Sequence, residues 1–220
     1  MAAFDAVLFD FGDTLFHRAG GPSRLVELAR ASGADVSDRD AGALWDKVQL
    51  DARTPEALAK GRDLSRDAHD REWLALYAAF DELGEGLGAA MYAEEMAPGG
   101  WVPFTDVAPT LGALRDAGVG IGVVSNTGWD IRPQFEAAGL AGLVDTFALS
   151  CEVGVIKPAP EMFLQPCDAL GVEPERALMV GDTPLPDAGA LGVGMPVYLL
   201  PLAPPVGPRG LDVVVRVVGI

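Results

Sequence analysis

Short runs rich in apolar and β-branched residues recur along this chain and predict β-strands, and several of them end in polar residues. Six such runs are present, at residues 6–9, 121–124, 146–149, 178–180, 197–200 and 213–218. From residue 119 onward they alternate with stretches in which apolar residues recur at helical spacing. Because strands that alternate with helices pair in parallel through βαβ crossovers, the pattern predicts an α/β protein with a doubly wound parallel sheet.

Residues 17–100 have a different pattern, in which apolar residues recur every three or four positions. The spacing predicts helices near residues 22–33 and 38–52, and a third that starts at Pro55 with Thr54 as its N-cap. Five apolar residues then form one seam along a further helix: Trp73, Leu76, Phe80, Leu83 and Leu87. We interpret the seam as a packing interface, which predicts a helical bundle in this part of the chain.

Glycine and proline clusters set the expected domain boundaries. The sequence Pro-Gly-Gly at 98–100 ends the helical pattern, and residues 101–104 are predicted to link it to the main domain. We therefore assign residues 1–16 and 101–220 to the α/β core and residues 17–100 to an inserted helical domain. The glycines at 118–122 fall within a predicted strand and do not form a dinucleotide-binding loop. Residues 201–208, with four prolines, are predicted to connect to the last strand.

Composition narrows the possible partners. The chain has 220 residues, half of them apolar, which is enough for one main domain and an insertion. Sixteen Lys and Arg against 32 Asp and Glu leave a formal charge of −16. This charge repels nucleic acids and anionic membranes, so neither is expected as a partner. The first residues do not resemble a secretion signal, and no apolar stretch is long enough to span a membrane, so we expect a cytoplasmic protein.

Four polar clusters follow the predicted strands or lie between them. In chain order they are Asp10 with Gly12 and Asp13, Ser125 with Asn126, Lys157, and Asp182 with Asp187. The carboxyl ends of parallel strands meet at one edge of a sheet, where open α/β proteins place their chemistry. Each residue alone has an ordinary structural explanation, such as a helix cap or a turn. Their order and neighbours together favour a shared active site.

These clusters resemble the motif series of the haloacid dehalogenase superfamily of aspartate-nucleophile hydrolases. The resemblance covers the chain apart from residues 17–100. It implies a Rossmann-like core with an inserted α-helical cap that closes over small substrates. Asp10 would then be the nucleophile, forming a transient aspartyl ester. For a phosphate ester, Mg²⁺ would offset the repulsion between the two anions, and Asp10, Asp182 and the backbone carbonyl of Gly12 match the family's ligands.

The resemblance also assigns roles to the remaining clusters. Lys157 would neutralise the charge shared by the nucleophile and the transferring group. Ser125 would take part in catalysis by holding a phosphoryl oxygen, with Asn126 and Lys157 as further phosphate-binding residues. Asp187 would have a supporting role, contacting the lysine or ordering metal-bound water.

One position departs from the family pattern. Its phosphatases usually carry a second Asp two residues after the nucleophile, where it protonates the leaving group and then activates water. Here that position is Gly12, and the next carboxylate is displaced by one residue to Asp13. Three explanations remain open: Asp13 or His17 supplies the proton, the leaving group needs none, or the protein turns over slowly and acts by binding. Adjacent strand residues point to opposite faces, which weakens the case for Asp13.

The sequence therefore predicts a magnesium-dependent hydrolase, most consistent with a phosphatase of small phosphorylated metabolites. One alternative is a 2-haloacid dehalogenase, because halide leaves without protonation. Gly181-Asp182-Thr183 with Asp187 is more typical of the phosphatases. A second alternative is a catalytically weak binding or regulatory protein. The sequence names no substrate, and both a monomer and a homodimer remain open.

Overall fold

A five-stranded parallel sheet forms the centre of the computed structural model, which describes residues 2–201 and 207–220. Its strands are β1 (Ala6–Phe9), β4 (Gly120–Ser125), β5 (Thr146–Leu149), β6 (Ala177–Gly181) and β7 (Val197–Leu199), in the spatial order β5-β4-β1-β6-β7. The central strand β1 pairs with β4 on one side and β6 on the other. The chain thus builds one half of the sheet and then the other, as the doubly wound prediction requires.

Helices cover both faces of the sheet. They are α6 (Val107–Asp116), α7 (Arg132–Ala137), α8 (Ser150–Val153), α9 (Glu161–Leu170), α10 (Pro184–Asp187) and α11 (Asp212–Val218), with 3-10 helices at Ala141–Leu143, Pro174–Arg176 and Ala188–Val193. Every residue of β1 is fully buried. Val7 and Phe9 belong to one apolar cluster and Ala6 and Leu8 to another. Because successive side chains of a strand point to opposite faces, the core has two layers, one on each side of the sheet. The predicted α/β fold with a doubly wound parallel sheet is confirmed.

The segment between β1 and β4 contains a second group of helices. They are α1 (Gly21–Ala31), α2 (Asp38–Asp51), α3 (Pro55–Ala59), α4 (Arg66–Tyr77) and α5 (Leu87–Met96), with a 3-10 helix at Ala78–Leu83. All of these except α3 contribute to a separate apolar cluster, which includes Leu25, Tyr77 and Phe80. The ring of Trp45 stacks on Phe80 with centroids 5.7 Å apart. The predicted cap at Thr54 forms, because its side chain accepts a hydrogen bond from Ala57 N.

Two strands join these helices to the sheet-containing core. β2 (Phe16–Arg18) leads into α1, and β3 (Trp101–Pro103) follows α5. They pair antiparallel, with Arg18 opposite Trp101. The sequence predicted only a linker at 101–104, because three-residue strands leave no clear alternation of apolar and polar residues. No helix within the described residues is long and apolar enough to cross a membrane.

Two predicted elements are wrong. The apolar seam from Trp73 to Leu87 does not follow one helix but is divided among α4, a 3-10 helix and α5. The break spans residues 84–86, and Gly86, just before α5, has a φ of 79°, outside the helical range. Residues 213–218, predicted as a strand, lie in α11, where Val214 and Val218 are buried one helical turn apart and Gly219 ends the helix at a φ of 82°. The predicted connection at 201–208 lies mostly outside the described residues.

Candidate active site

The predicted site residues meet at the carboxyl edge of the central sheet. A cavity of about 460 Å³ opens there between the sheet and the helical segment. Eight of the predicted residues line it: Asp10, Gly12, Asp13, Ser125, Asn126, Lys157, Asp182 and Asp187. His17 does not. Its Nδ1 lies 3.0 Å from the carbonyl oxygen of Arg18, and its ring packs against Phe104, so this candidate proton donor faces away from the cavity.

Lys157 lies at the centre of the site's hydrogen bonds, and only 4% of its surface is exposed. Its Nζ donates hydrogen bonds to Asp10 Oδ1 at 2.6 Å, to Asp187 Oδ1 at 2.7 Å and to the carbonyl of Val124 at 3.0 Å. Asn126 fixes the lysine's backbone, accepting from Lys157 N at 2.7 Å. Burial disfavours the charged amine, yet the two carboxylates raise the pKa of Lys157 to about 12. The lysine is therefore a permanent cation beside Asp10.

Three carboxylates surround this lysine. One oxygen from each of Asp10, Asp182 and Asp187 lies within 4.8 Å of the others. Burial raises the pKa of Asp10 to about 7, with Lys157 opposing the shift and Asp187 adding to it. Burial also raises the pKa of Asp182. Three acids against one lysine leave surplus negative charge. A small set of hard oxygen donors with that surplus fits a divalent cation such as Mg²⁺.

The loop after Asp10 lacks the usual second carboxylate but is tightly built. A Cβ added to Gly12 would lie 3.5 Å from the ring of Trp101, an ordinary contact, so no backbone strain or severe clash requires glycine here. Asp13 adopts a positive φ of 55°, and Arg209 Nε donates to its carbonyl at 2.6 Å. The Asp13 carboxylate lies 3.7 Å from Arg53 of the helical segment. Asp13 thus lines the cavity because its left-handed conformation departs from the strand geometry assumed from the sequence.

The opposite wall comes from residues that the sequence analysis missed. Arg18, Arg62, Asp63, His69 and Trp73 line the cavity from the helical side. The guanidinium carbons of Arg18 and Arg62 lie 5.3 Å and 4.8 Å from the Trp73 ring centroid. Burial lowers the pKa of His69 to about 3, so it is neutral. These residues belong to no motif; only their convergence in the folded chain identifies them.

The geometry agrees with comparisons to known proteins. The model of the haloacid dehalogenase-like hydrolases matches residues 4–193, so the chain belongs to this family, and the predicted enzyme class, a hydrolase, is confirmed. The chain is 31% identical over 201 residues to a phosphoglycolate phosphatase from Rhodospirillum rubrum, covering 89% of this chain and 78% of the relative.

Solved structures of this family have the same fold. A haloacid dehalogenase superfamily phosphatase from Thermococcus onnurineus is 27% identical, with a TM-score of 0.63 and 98% of each chain covered. An L-2-haloacid dehalogenase from Xanthobacter autotrophicus is 22% identical, with a TM-score of 0.59 over 90% of this chain and 77% of that one. At that identity the dehalogenase is evidence of shared fold alone.

Proposed function

We propose that this protein is a magnesium-dependent phosphatase that hydrolyses small phosphorylated metabolites through an aspartyl-phosphate on Asp10. One observation carries the proposal. The Asp10 carboxylate ends the central strand, lines the cavity and is bonded to a buried lysine within a cluster of acids. Membership of the hydrolase family and the similarity to a named phosphatase support a phosphate monoester as substrate.

Each residue of the cluster has a role in this reaction. Asp10 attacks phosphorus, and the bond to the leaving oxygen breaks. Lys157 neutralises charge shared between Asp10 and the phosphoryl group, while the Ser125 hydroxyl donates to a phosphoryl oxygen. Asn126 holds the lysine's backbone and borders the phosphate site. Asp187 orients the lysine, since its two oxygens accept from Lys157 Nζ and, at 2.9 Å, from Thr183 N.

The ion would be held by Asp10, Asp182 and the backbone carbonyl of Gly12. When bound, it would supply positive charge that offsets the repulsion between the nucleophile and the substrate. The surplus of three carboxylates over one lysine supports this assignment.

Residues 17–100 act as a cap over the site, and residues 1–16 and 101–220 as the catalytic core. Two features support this division. The helices have an apolar cluster of their own, and both chain crossings pass through the paired strands β2 and β3. Side chains from the cap close the cavity opposite Asp10, which excludes water and brings the substrate's remaining atoms into contact with cap residues.

Phosphate release tests the proposal. Wild type and Asp10→Asn are incubated with a panel of small phosphate monoesters, with Mg²⁺ and with chelator. The proposal expects release that requires both the metal and Asp10. Lys157→Arg separates charge from geometry, because it keeps the positive charge but not the position of the buried amine. We expect it to be strongly impaired. Release that survives Asp10→Asn refutes the nucleophile.

A dehalogenase is the second candidate, because halide needs no proton and Gly12 supplies none. Metal-independent chloride release from 2-chloropropionate would support it over the phosphatase. Silence in both assays would support a weak binding protein. The proposal also places the protein in the cytoplasm as a monomer or homodimer, with no nucleic acid or membrane partner; the formal charge of −16 supports these exclusions.

A further inference from the structure

The proposed phosphatase reaction needs a proton donor that the core does not supply. Alkoxide is a poor leaving group, and a positioned acid contributes typically 10²–10⁴ in rate. Gly12 has no side chain, and His17 faces away from the cavity. Asp187 is held by Lys157, and Glu95 by Arg18 at 2.8 Å. The donor therefore has to come from one of the two remaining cavity carboxyls outside the Asp10 cluster, Asp13 or Asp63.

Asp63 lies in the turn between α3 and α4, on the cap side of the cavity. Its side chain is 15% exposed, whereas that of Asp13 is 36% exposed. The nearest cation to Asp63 is Arg62, whose Nε is 3.5 Å from Oδ1, too far for a strong hydrogen bond. The carboxyl group is thus shielded from solvent while its oxygens stay available to a ligand in the cavity.

The turn that carries Asp63 is fastened to the core. Ser150 Oγ donates to the carbonyl of Asp63 and in turn accepts from Thr127 N at 2.8 Å. A Cβ added to Gly128 would lie only 2.5 Å from the carbonyl oxygen of Arg62. Cap and core backbones are therefore in direct contact two residues after Asn126. This contact fixes Asp63 relative to the phosphate-binding loop.

The environment of Asp63 shifts its carboxyl toward the protonated form relative to an exposed aspartate. Burial raises the pKa of its carboxyl, with Arg62 and Lys157 opposing the shift. The core residues against which its turn packs, Gly128 and Ser150, carry no charge, and His69 on the cap side is neutral. Asp63 lines the same cavity as Lys157 and Asp10, so its carboxyl can reach a substrate bound beside them.

We propose that Asp63 is the general acid and base of this enzyme, supplied by the cap in place of the missing core Asp; this rests on the proposed phosphatase function. In the first step Asp10 Oδ bonds to phosphorus, the bond to the ester oxygen breaks, and that oxygen takes the proton of Asp63. In the second step water attacks the aspartyl-phosphate, and its proton goes to the Asp63 carboxylate. The bond from phosphorus to Asp10 breaks, and phosphate and both carboxyl groups are regenerated.

The leaving group separates this role from a structural one. Ethyl phosphate has a poor leaving group and needs the acid, whereas p-nitrophenyl phosphate releases a weak base and does not. In Asp63→Asn we expect turnover of ethyl phosphate to fall about 10²-fold or more. With p-nitrophenyl phosphate the variant should release one equivalent of nitrophenol in a fast burst and then stall, because the second step lacks its base. Asp67→Asn, at an exposed position of α4 that does not line the cavity, is the matched control and should show neither effect.

A second variant keeps the test decisive. Gly12→Asp in the Asp63→Asn background returns an acid to the core and should restore ethyl phosphate turnover at least tenfold. Three results would overturn the role of Asp63. In Asp63→Asn they are an equal loss of first-step rate with both esters, or no loss with either. The third is a loss selective for ethyl phosphate in Asp13→Asn instead. If wild type releases no phosphate from either ester, the proposed function itself fails. If wild type is active and Asp63→Asn keeps that activity with both esters, only the role of Asp63 fails.

Discussion

Replacing Gly128 by alanine should move the cap away from the core. Gly128 is buried, and three atoms of the cap turn and α4 surround the position of its missing Cβ. They are the carbonyl oxygens of Arg62 and Ser65, at 2.5 Å and 2.6 Å, and the Cβ of His69 at 2.5 Å. Two of these are backbone atoms, which cannot rotate aside as the end of a side chain can.

The size of the effect follows from these distances. An ordinary contact begins at about 3.4 Å, so the turn must retreat by about 0.9 Å. Overpacking of this kind costs about 1–3 kcal/mol. A misplacement of about 1 Å in a catalytic constellation can lower a rate about 10²-fold. Because Asp63 lies in the displaced turn, Gly128→Ala should lower turnover of ethyl phosphate to a similar degree as loss of that carboxyl.

Urea denaturation and steady-state kinetics measure the two consequences. Gly142→Ala is the matched control, because its Cβ would meet nothing within 4 Å and its φ is not in the left-handed region. We expect the control to keep wild-type stability within about 0.5 kcal/mol and full activity. If Gly128→Ala behaves like the control in both assays, the close contact between cap and core does not position the catalytic cavity.

Three further outcomes are expected. Lys157→Met leaves Asp10 and Asp187 buried without their cation and should lower the unfolding free energy by about 3–5 kcal/mol at pH 8. The pKa of Asp10 is raised in the folded protein, so its contribution to the free energy of unfolding falls as pH rises above the pKa of an unfolded aspartate. The loss caused by Lys157→Met should therefore be smaller at pH 5 than at pH 8, as measured by urea denaturation at both pH values. Asp106→Ala removes an acceptor bonded to Arg209, Gly210 and Leu211 backbone N–H groups at 2.7–2.8 Å and should lower the thermal midpoint, with a cost of about 2–4 kcal/mol. Gly12→Asp alone adds a core acid to the one that Asp63 supplies and should raise ethyl phosphate turnover, since the added side chain meets only an ordinary contact; unchanged turnover would show that Asp63 alone already supplies the proton fully.

The convergence of the candidate site residues at the carboxyl edge of the sheet could be predicted because local sequence determines it. A strand that is buried on both faces needs a continuous apolar run, so the end of β1, and with it Asp10, is visible in the sequence. The same holds for Ser125 and Asp182. The prediction of a strand at 213–218 failed because it relied on the β preference of valine. In the structure, burial of Val214 and Val218 on one helical face outweighs that preference.

The cap side of the site could not be predicted in the same way. Asp63 contacts the core through Ser150, and Arg62 stacks on Trp73 in the next helix. Such pairings depend on how the cap packs against the core, and no spacing rule encodes them. Asp13 shows the same limit at short range, because its positive φ of 55° redirects a side chain that strand geometry would have pointed elsewhere.

The paired strands β2 and β3 have a consequence for how this protein can change. Arg18 and Trp101 are opposite one another, so the chain departs from the core and comes back at adjacent positions. A tight hairpin turn between those two residues would close the core without residues 19–100. Residues 19–100 can therefore be exchanged by insertion or recombination while the sheet keeps its register. Under the proposed function, such an exchange would change substrate preference and leave the Asp10 nucleophile in place.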